Sequence, residues 1–174
     1  AEEGAGGAEP MISAGILDIP KVDAAFALHV DSLTPAGSIV VTDGPAMAAP
    51  DEFEIVIKGR GGHGAYPHNT IDPILTAAKV IEGLQSIVSR NVSPMTPALI
   101  SVCTINAGSF YNIIPETATL KGTARTFDNA LRDKLPQMIE GVAKGICMAM
   151  GAECDFTYRF MYPPVINDSK MFEL

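Results

Sequence analysis

Two stretches of this chain carry apolar residues at helical spacing, and each is bracketed by strand-like segments. In the first, Ile74, Leu75, Ala78, Ile81, Leu84 and Val88 recur at intervals that place them on one helix face. Asp72 stands before them as an N-cap, Pro73 occupies the first turn, and Pro94 and Pro97 follow the end near Arg90. In the second, from about Asp128, Leu131, Leu135, Met138, Val142, Ile146 and Ala149 share a face. Pro136 either kinks that helix or marks its true beginning. Residues 53–58, 98–105, 118–126 and 153–161 read as strands. The order strand, helix, strand, strand, helix, strand predicts an α+β fold: a ferredoxin-like four-stranded antiparallel sheet with two helices on one face, spanning 51–164. The other face of such a sheet must be covered or wet.

The residues before this pattern belong to another unit. A helix is expected over 8–17, with Met11, Ile12, Ile16 and Leu17 on one face and Gly15 as its weak point. The apolar run 23–30 has the length and composition of a buried parallel strand. Pro35, Gly37, Gly44, Pro45 and Pro50 punctuate the stretch from 31 to 50, around a brief strand at 38–42, and put a boundary near 48–52. The expected division is 1–50 as part of one domain, 51–164 as a second, and 165–174 as a return into the first, starting one of its helices. The beginning, Glu2-Glu3 followed by Gly4-Ala5-Gly6-Gly7, resembles neither a signal peptide nor a domain start, and reads as a chain cut from something larger.

Composition narrows the classes. The hydrophobic share of 47% against 18% charged residues supports a packed core. The formal charge is −8, and up to residue 50 Lys21 alone opposes seven acidic side chains. An acidic chain with no basic stripe is a poor partner for phosphate backbones, and the predicted strands 98–105 and 118–126 lack the stacking aromatics of a ferredoxin-like nucleic-acid binder, so no nucleic acid is expected. No apolar run approaches the ~20 residues of a membrane span, so no membrane partner is expected either. Cys103, Cys147 and Cys154 lack metal-site spacing and read as reduced, mostly buried thiols of a cytoplasmic protein.

Four groups of residues could carry chemistry. Gly59-Arg60-Gly61-Gly62-His63-Gly64-Ala65-Tyr66-Pro67-His68 lies between a strand and a helix. Its glycines can take positive φ and let a ligand come close to His63, although such histidines can also merely close a surface turn. Glu2 and Glu3 are adjacent carboxylates, so one could bind a metal while the other takes a proton from a water; terminal solvated charge is the plain alternative. His29 ends an apolar run, where sites in α/β domains gather, with Asp31 as a partner or only a loop former. Asn112 and Arg125 could together clamp a carboxylate, the arginine bidentately, or be a turn amide and a solvated strand-end cation.

Taken in order, Ala1-Glu2-Glu3-Gly4, Ala27-Leu28-His29-Val30, the Gly59–His68 run, Leu84-Gln85-Ser86-Ile87-Val88-Ser89-Arg90, Asn112-Ile113-Ile114-Pro115 and Gly122-Thr123-Ala124-Arg125-Thr126 resemble the two-metal amidohydrolases and carboxypeptidases that include hippurate hydrolase, aminoacylases and auxin-conjugate hydrolases. His29, where other branches carry an acidic ligand, points to the hippurate-hydrolase branch. The resemblance implies that Glu2 is the general acid/base and that Glu3 and His29 are metal ligands. It further implies that His63 reaches a partner subunit's site to stabilise an oxyanion, and that Asn112 and Arg125 hold the substrate carboxylate. The implied activity is metal-assisted hydrolysis of the amide bond of N-acyl amino acids by a homodimer using two divalent ions (zinc, manganese, cobalt or nickel). Residues 51–164 would be its lid and dimerisation domain, and residues 1–50 a remnant of an α/β metal-binding catalytic domain. The family's Cys/His-containing metal segment and a further histidine ligand are missing here, so the chain by itself is expected to be inactive and to hold no metal stably. The competing reading is a stand-alone dimerisation module without chemistry.

Overall fold

The computed structural model describes residues 7–173. In chain order its elements are α1 (Ala8–Ser13), β1 (Gly44–Met47), β2 (Ala49–Lys58), β3 (Gly62–His63), α2 (Pro73–Ser86), β4 (Ala98–Ala107), β5 (Ile113–Ile114), β6 (Thr117–Thr126), α3 (Asn129–Arg132), α4 (Leu135–Ala149), β7 (Glu153–Arg159), β8 (Val165–Asn167) and α5 (Ser169–Phe172). The chain divides into two compact units, Pro45–Val165 and the residues up to Gly44 together with Ile166 onward.

In Pro45–Val165 a four-stranded sheet runs in the order β4-β6-β2-β7, antiparallel throughout. The two crossovers each skip a strand: β2 reaches β4 through α2 past β6, and β6 reaches β7 through α4 past β2. This is the expected ferredoxin-like topology. Phe53, Ile55 and Ile57 of β2, Ala118, Leu120 and Ala124 of β6 and Ile100 of β4 point to one face, where they meet Ala77, Val80 and Leu84 of α2 and Leu135, Ile139, Ala143 and Cys147 of α4. Each fully buried aliphatic side chain contributes about 1.5–3 kcal/mol by leaving water. The opposite face is wet. It carries cross-strand ion pairs Glu54–Lys121, Glu52–Arg159 and Lys58–Asp155, all partly exposed, which fit an open sheet face but add little stability.

The helix signals act as the local chemistry requires. Asp72 Oδ1 accepts the N–H groups of Ile74 (2.8 Å) and Leu75 (3.2 Å), and Pro73 sits at the first position. A π-helical turn, Ile87–Asn91, extends α2. Pro136 marks a beginning: α3 ends at Arg132, and α4 opens with Leu135 and Pro136. A bulge between Val102 and Thr104 leaves Cys103 exposed, against the expectation of mostly buried thiols, whereas Cys147 is buried and Cys154 half-buried.

The other unit departs further from expectation. Helix α1 stops at Ser13 instead of reaching 17, because Gly15 adopts φ +83° and closes the end: its N–H donates to Ile12 O and that of Ile16 to Met11 O. Residues 23–30, expected as a buried parallel strand, form no strand; Phe26, Leu28 and Val30 are exposed. Residues 38–42 are not a strand either. An apolar run becomes a parallel strand only beside a neighbour that completes its ladder, and no described residue does so. Asp168 caps α5 by accepting from Lys170 N and Met171 N.

One buried charge joins distant parts of the sheet unit. The Asp51 carboxylate, 1% exposed, accepts from Arg132 Nε (2.8 Å) and Nη2 (2.6 Å), Tyr158 OH (3.1 Å) and Met161 N (2.8 Å). The same Nη2 donates to Met161 O, and Phe160 lies 5.4 Å from the guanidinium carbon. Hydrogen bonding to Asp51 raises the Arg132 pKa. Burial, and then the Asp51 charge, raise that of Tyr158.

Arg132→Met would strand this carboxylate, so urea denaturation should show a loss of about 3–5 kcal/mol; a loss below about 1 kcal/mol, the range of an exposed pair, would mean that the pair is not buried as described. A second expectation concerns alkali. Burial, reinforced by Cys154, pushes the Cys147 thiol up to about 12, against about 8.5 for a free thiol. A raised folded-state pKa contributes stability that is complete below the unfolded value and is lost as pH rises through the folded one. Thermal stability should therefore fall from about pH 8.5 toward about 12, and Cys147→Ala should flatten that fall.

Candidate active site

The glycine-rich run builds a short, closely packed ribbon. β3 pairs antiparallel with β5, Gly62 opposite Ile114 and His63 opposite Ile113. Gly59 N donates to Glu116 O, and Gly64 N to Asn112 O, both at 2.8 Å. At the base, Arg60 and Ile71 exchange both backbone hydrogen bonds (2.9 and 3.0 Å), which delivers the chain directly to the Asp72 cap. Residues 67–69 form one 3₁₀ turn between these anchors.

The glycines act differently from the sequence expectation. None of Gly59, Gly61, Gly62 or Gly64 is among the positive-φ residues. They are glycine because neighbouring atoms come too close: an added Cβ would stand 2.1 Å from Ile71 O at Gly59 and 2.7 Å from Ile114 O at Gly61. The ribbon's backbones approach because side chains are missing, and His63 is presented, exposed, from a tightly paired edge.

His63 Nδ1 accepts the Ala65 N–H at 3.1 Å. The Tyr66 ring lies 5.8 Å from the imidazole at 55°, and His68 packs edge-on to Tyr66 at 6.2 Å. Asn112, half-buried, sits across the ribbon from Gly64. Arg125 lies elsewhere. It pairs with Pro50 and Leu99 at the end of β6 where β2 begins, whereas the ribbon follows the other end, where Lys58 faces Thr117. Eight residues of strand at ~3.3 Å each separate the two ends by about 26 Å. Within one chain, Asn112 and Arg125 do not meet on one carboxylate.

In the other unit, His29 Nδ1 donates to Val30 O at 2.7 Å. The lone pair of the neutral ring is then on Nε2, the form that a metal ligand takes. Asp31 is committed to its own loop: it accepts from Leu33 N (3.0 Å) and Thr34 Oγ1 (2.7 Å). These bonds, the backbone one first, hold its pKa below the usual value, with His29 a lesser cause. Glu2 and Glu3 lie outside the described residues. Among the described residues no three His, Cys, Asp or Glu side chains cluster as a metal site, so His29 alone of the expected ligands can be judged, and its tautomer fits. No described helix is long and apolar enough to cross a membrane.

Sequence reasoning missed the Asp51–Arg132–Tyr158 cluster. Its members lie 81 and 107 residues apart, and no local pattern marks them.

The family described as the peptidase dimerisation domain matches residues 51–148. Two curated relatives are an N-acetylcysteine deacetylase from Bacillus subtilis, 45% identical over 97% of this chain and 44% of its own length, and an N-acyl-L-amino acid amidohydrolase from Geobacillus stearothermophilus, 47% identical over 93% and 43%. Among solved structures, the Bacillus subtilis YXEP protein, described as a dinuclear metal-binding peptidase of the M20 family, superposes with a TM-score of 0.70 at 35% identity, over 95% of this chain and 40% of that one. The chain thus spans less than half the length of these relatives.

Gly61→Ala tests the packing argument. Its Cβ would force the ribbon open, so hydrogen exchange at Gly62 and Gly64 should quicken roughly tenfold or more while the sheet core stays protected; unchanged exchange would contradict close approach as the reason for glycine.

Proposed function

Because the chain belongs to the M20 family of peptidases and amidohydrolases, we propose that it forms part of a metal-dependent hydrolase of the amide bond in N-acyl amino acids, nearest in kind to hippurate hydrolase. The observation that carries the reading is the exposed His63 held on a rigid ribbon beside Asn112. Relatives that deacylate acyl amino acids support the substrate class. The protein works as a homodimer, in the cytoplasm, a compartment that suits its free thiols.

Glu3 and His29 would hold part of a pair of divalent ions, zinc, manganese, cobalt or nickel, which when bound supply a water of lowered pKa and a polarised carbonyl. Glu2 takes the proton from the attacking water and returns it to the leaving amine. His63 donates a hydrogen bond to the oxyanion, and Asn112 and Arg125 bind the substrate carboxylate. Since Arg125 stands about 26 Å of strand away from the ribbon, one site takes His63 and Asn112 from one subunit and Arg125 from the other. The separate core of Pro45–Val165 also favours a second reading, a dimerisation module without turnover. Light scattering that shows a dimer, with no hydrolysis by the complete protein loaded with metal, would select it.

In the complete enzyme, His63→Ala should lower kcat by about 10²–10³, the cost of one oxyanion donor, with dimerisation intact. Mixing His63→Ala with Arg125→Ala subunits should restore activity, because one site of each mixed dimer keeps both residues. No recovery after proven subunit exchange would overturn the shared site.

A further inference from the structure

Three successive backbone donors of the ribbon are each committed. Gly64 N donates to Asn112 O (2.8 Å), Ala65 N to the His63 imidazole Nδ1 (3.1 Å) and Tyr66 N to His63 O (2.8 Å). The first ties the ribbon to the opposing strand, and the third closes a turn around His63. The second acts on the imidazole itself. A backbone N–H can only donate, so the nitrogen that receives it must hold a lone pair, and a neutral ring then carries its proton on the other nitrogen.

We propose that the Ala65 N–H is a positioning group which locks His63 in the Nε2–H tautomer, so that the nitrogen left to face outward is a hydrogen-bond donor and not a base or a metal ligand. Two further contacts hold the arrangement. The β3–β5 ladder sets His63 opposite Ile113, and the Tyr66 ring lies tilted 5.8 Å from the imidazole. In His29 the backbone makes the opposite choice: Nδ1 donates to Val30 O, which puts the lone pair on Nε2. The partner of His63 is accordingly a hydrogen-bond acceptor, of which an oxyanion or a carboxylate would bind it most strongly. The consequence for catalysis rests on the proposed amidohydrolase activity; the tautomer itself does not.

The ¹⁵N-labelled chain above the usual imidazole range, at about pH 8, supplies the test. A through-hydrogen-bond coupling should join the Ala65 amide to His63 Nδ1, with Nδ1 resonating as an unprotonated nitrogen and Nε2 as a protonated one. His63→Gln identifies the signals. A proton on Nδ1, or no coupling with the ribbon's amides still protected, would overturn the proposal. Ala65→Pro removes the donor and should return the imidazole to a mixture of tautomers; in the complete enzyme it should lower kcat about tenfold at unchanged KM, less than the roughly 10²–10³ lost with the whole imidazole. If the coupling is present but His63→Ala leaves kcat unchanged, the tautomer assignment stands and the catalytic role of His63 falls. If His63→Ala is costly while Nδ1 carries the proton, the assignment falls alone.

Discussion

A carboxylate buried at the start of the central strand constrains the sheet unit more than any other single group. Arg132, Tyr158 and the Met161 amide all donate to Asp51 there, and losing them would be costly, since an unpaired buried charge costs several kcal/mol. Those donors come from the short helix after β6 and from the end of β7, so satisfying the carboxylate ties together three separate parts of the chain. β2 leaves this cluster, pairs with β6 along its whole length, and ends at Lys58, just before Gly59, where backbone packing against Ile71 leaves no room for a side chain. The position of His63 depends on a strand held at both ends.

The unit presents two chemically different ends. One has the ribbon, with an imidazole donor and an amide; the other has Arg125, near the start of β2. A small substrate cannot span about 26 Å of strand, so the proposed shared site needs two copies that bring unlike ends together. The ribbon is held by backbone pairing and close packing, while His63 itself stays exposed.

Much of the sheet unit was legible in the sequence. The apolar spacing of 74–88 and 131–149, Asp72 before Pro73, and Pro136 near a helix start are local signals, acting over one or two helical turns, and the structure obeys them. The glycine run was legible as a special place, but its mechanism was not. Sequence shows that side chains are missing, whereas only the fold shows that Ile71 O and Ile114 O occupy the space they would fill. The apolar run 23–30 illustrates the reverse case, because hydrophobicity names a candidate strand and pairing requires a neighbour.

By itself, then, the sequence determined the order of strands and helices in the sheet unit, their caps and breaks, and which residues are chemically able to act, since each of these depends on neighbours within a few positions. Tertiary structure decided what depends on residues far apart in the chain. It buried Asp51 against Arg132, 81 residues away, parted Asn112 from Arg125, which are near in sequence, and aimed the Ala65 amide at one nitrogen of His63. The physical reason is the same in each case: a hydrogen bond or a buried charge is settled by distances of about 3 Å in space, and sequence separation does not measure them.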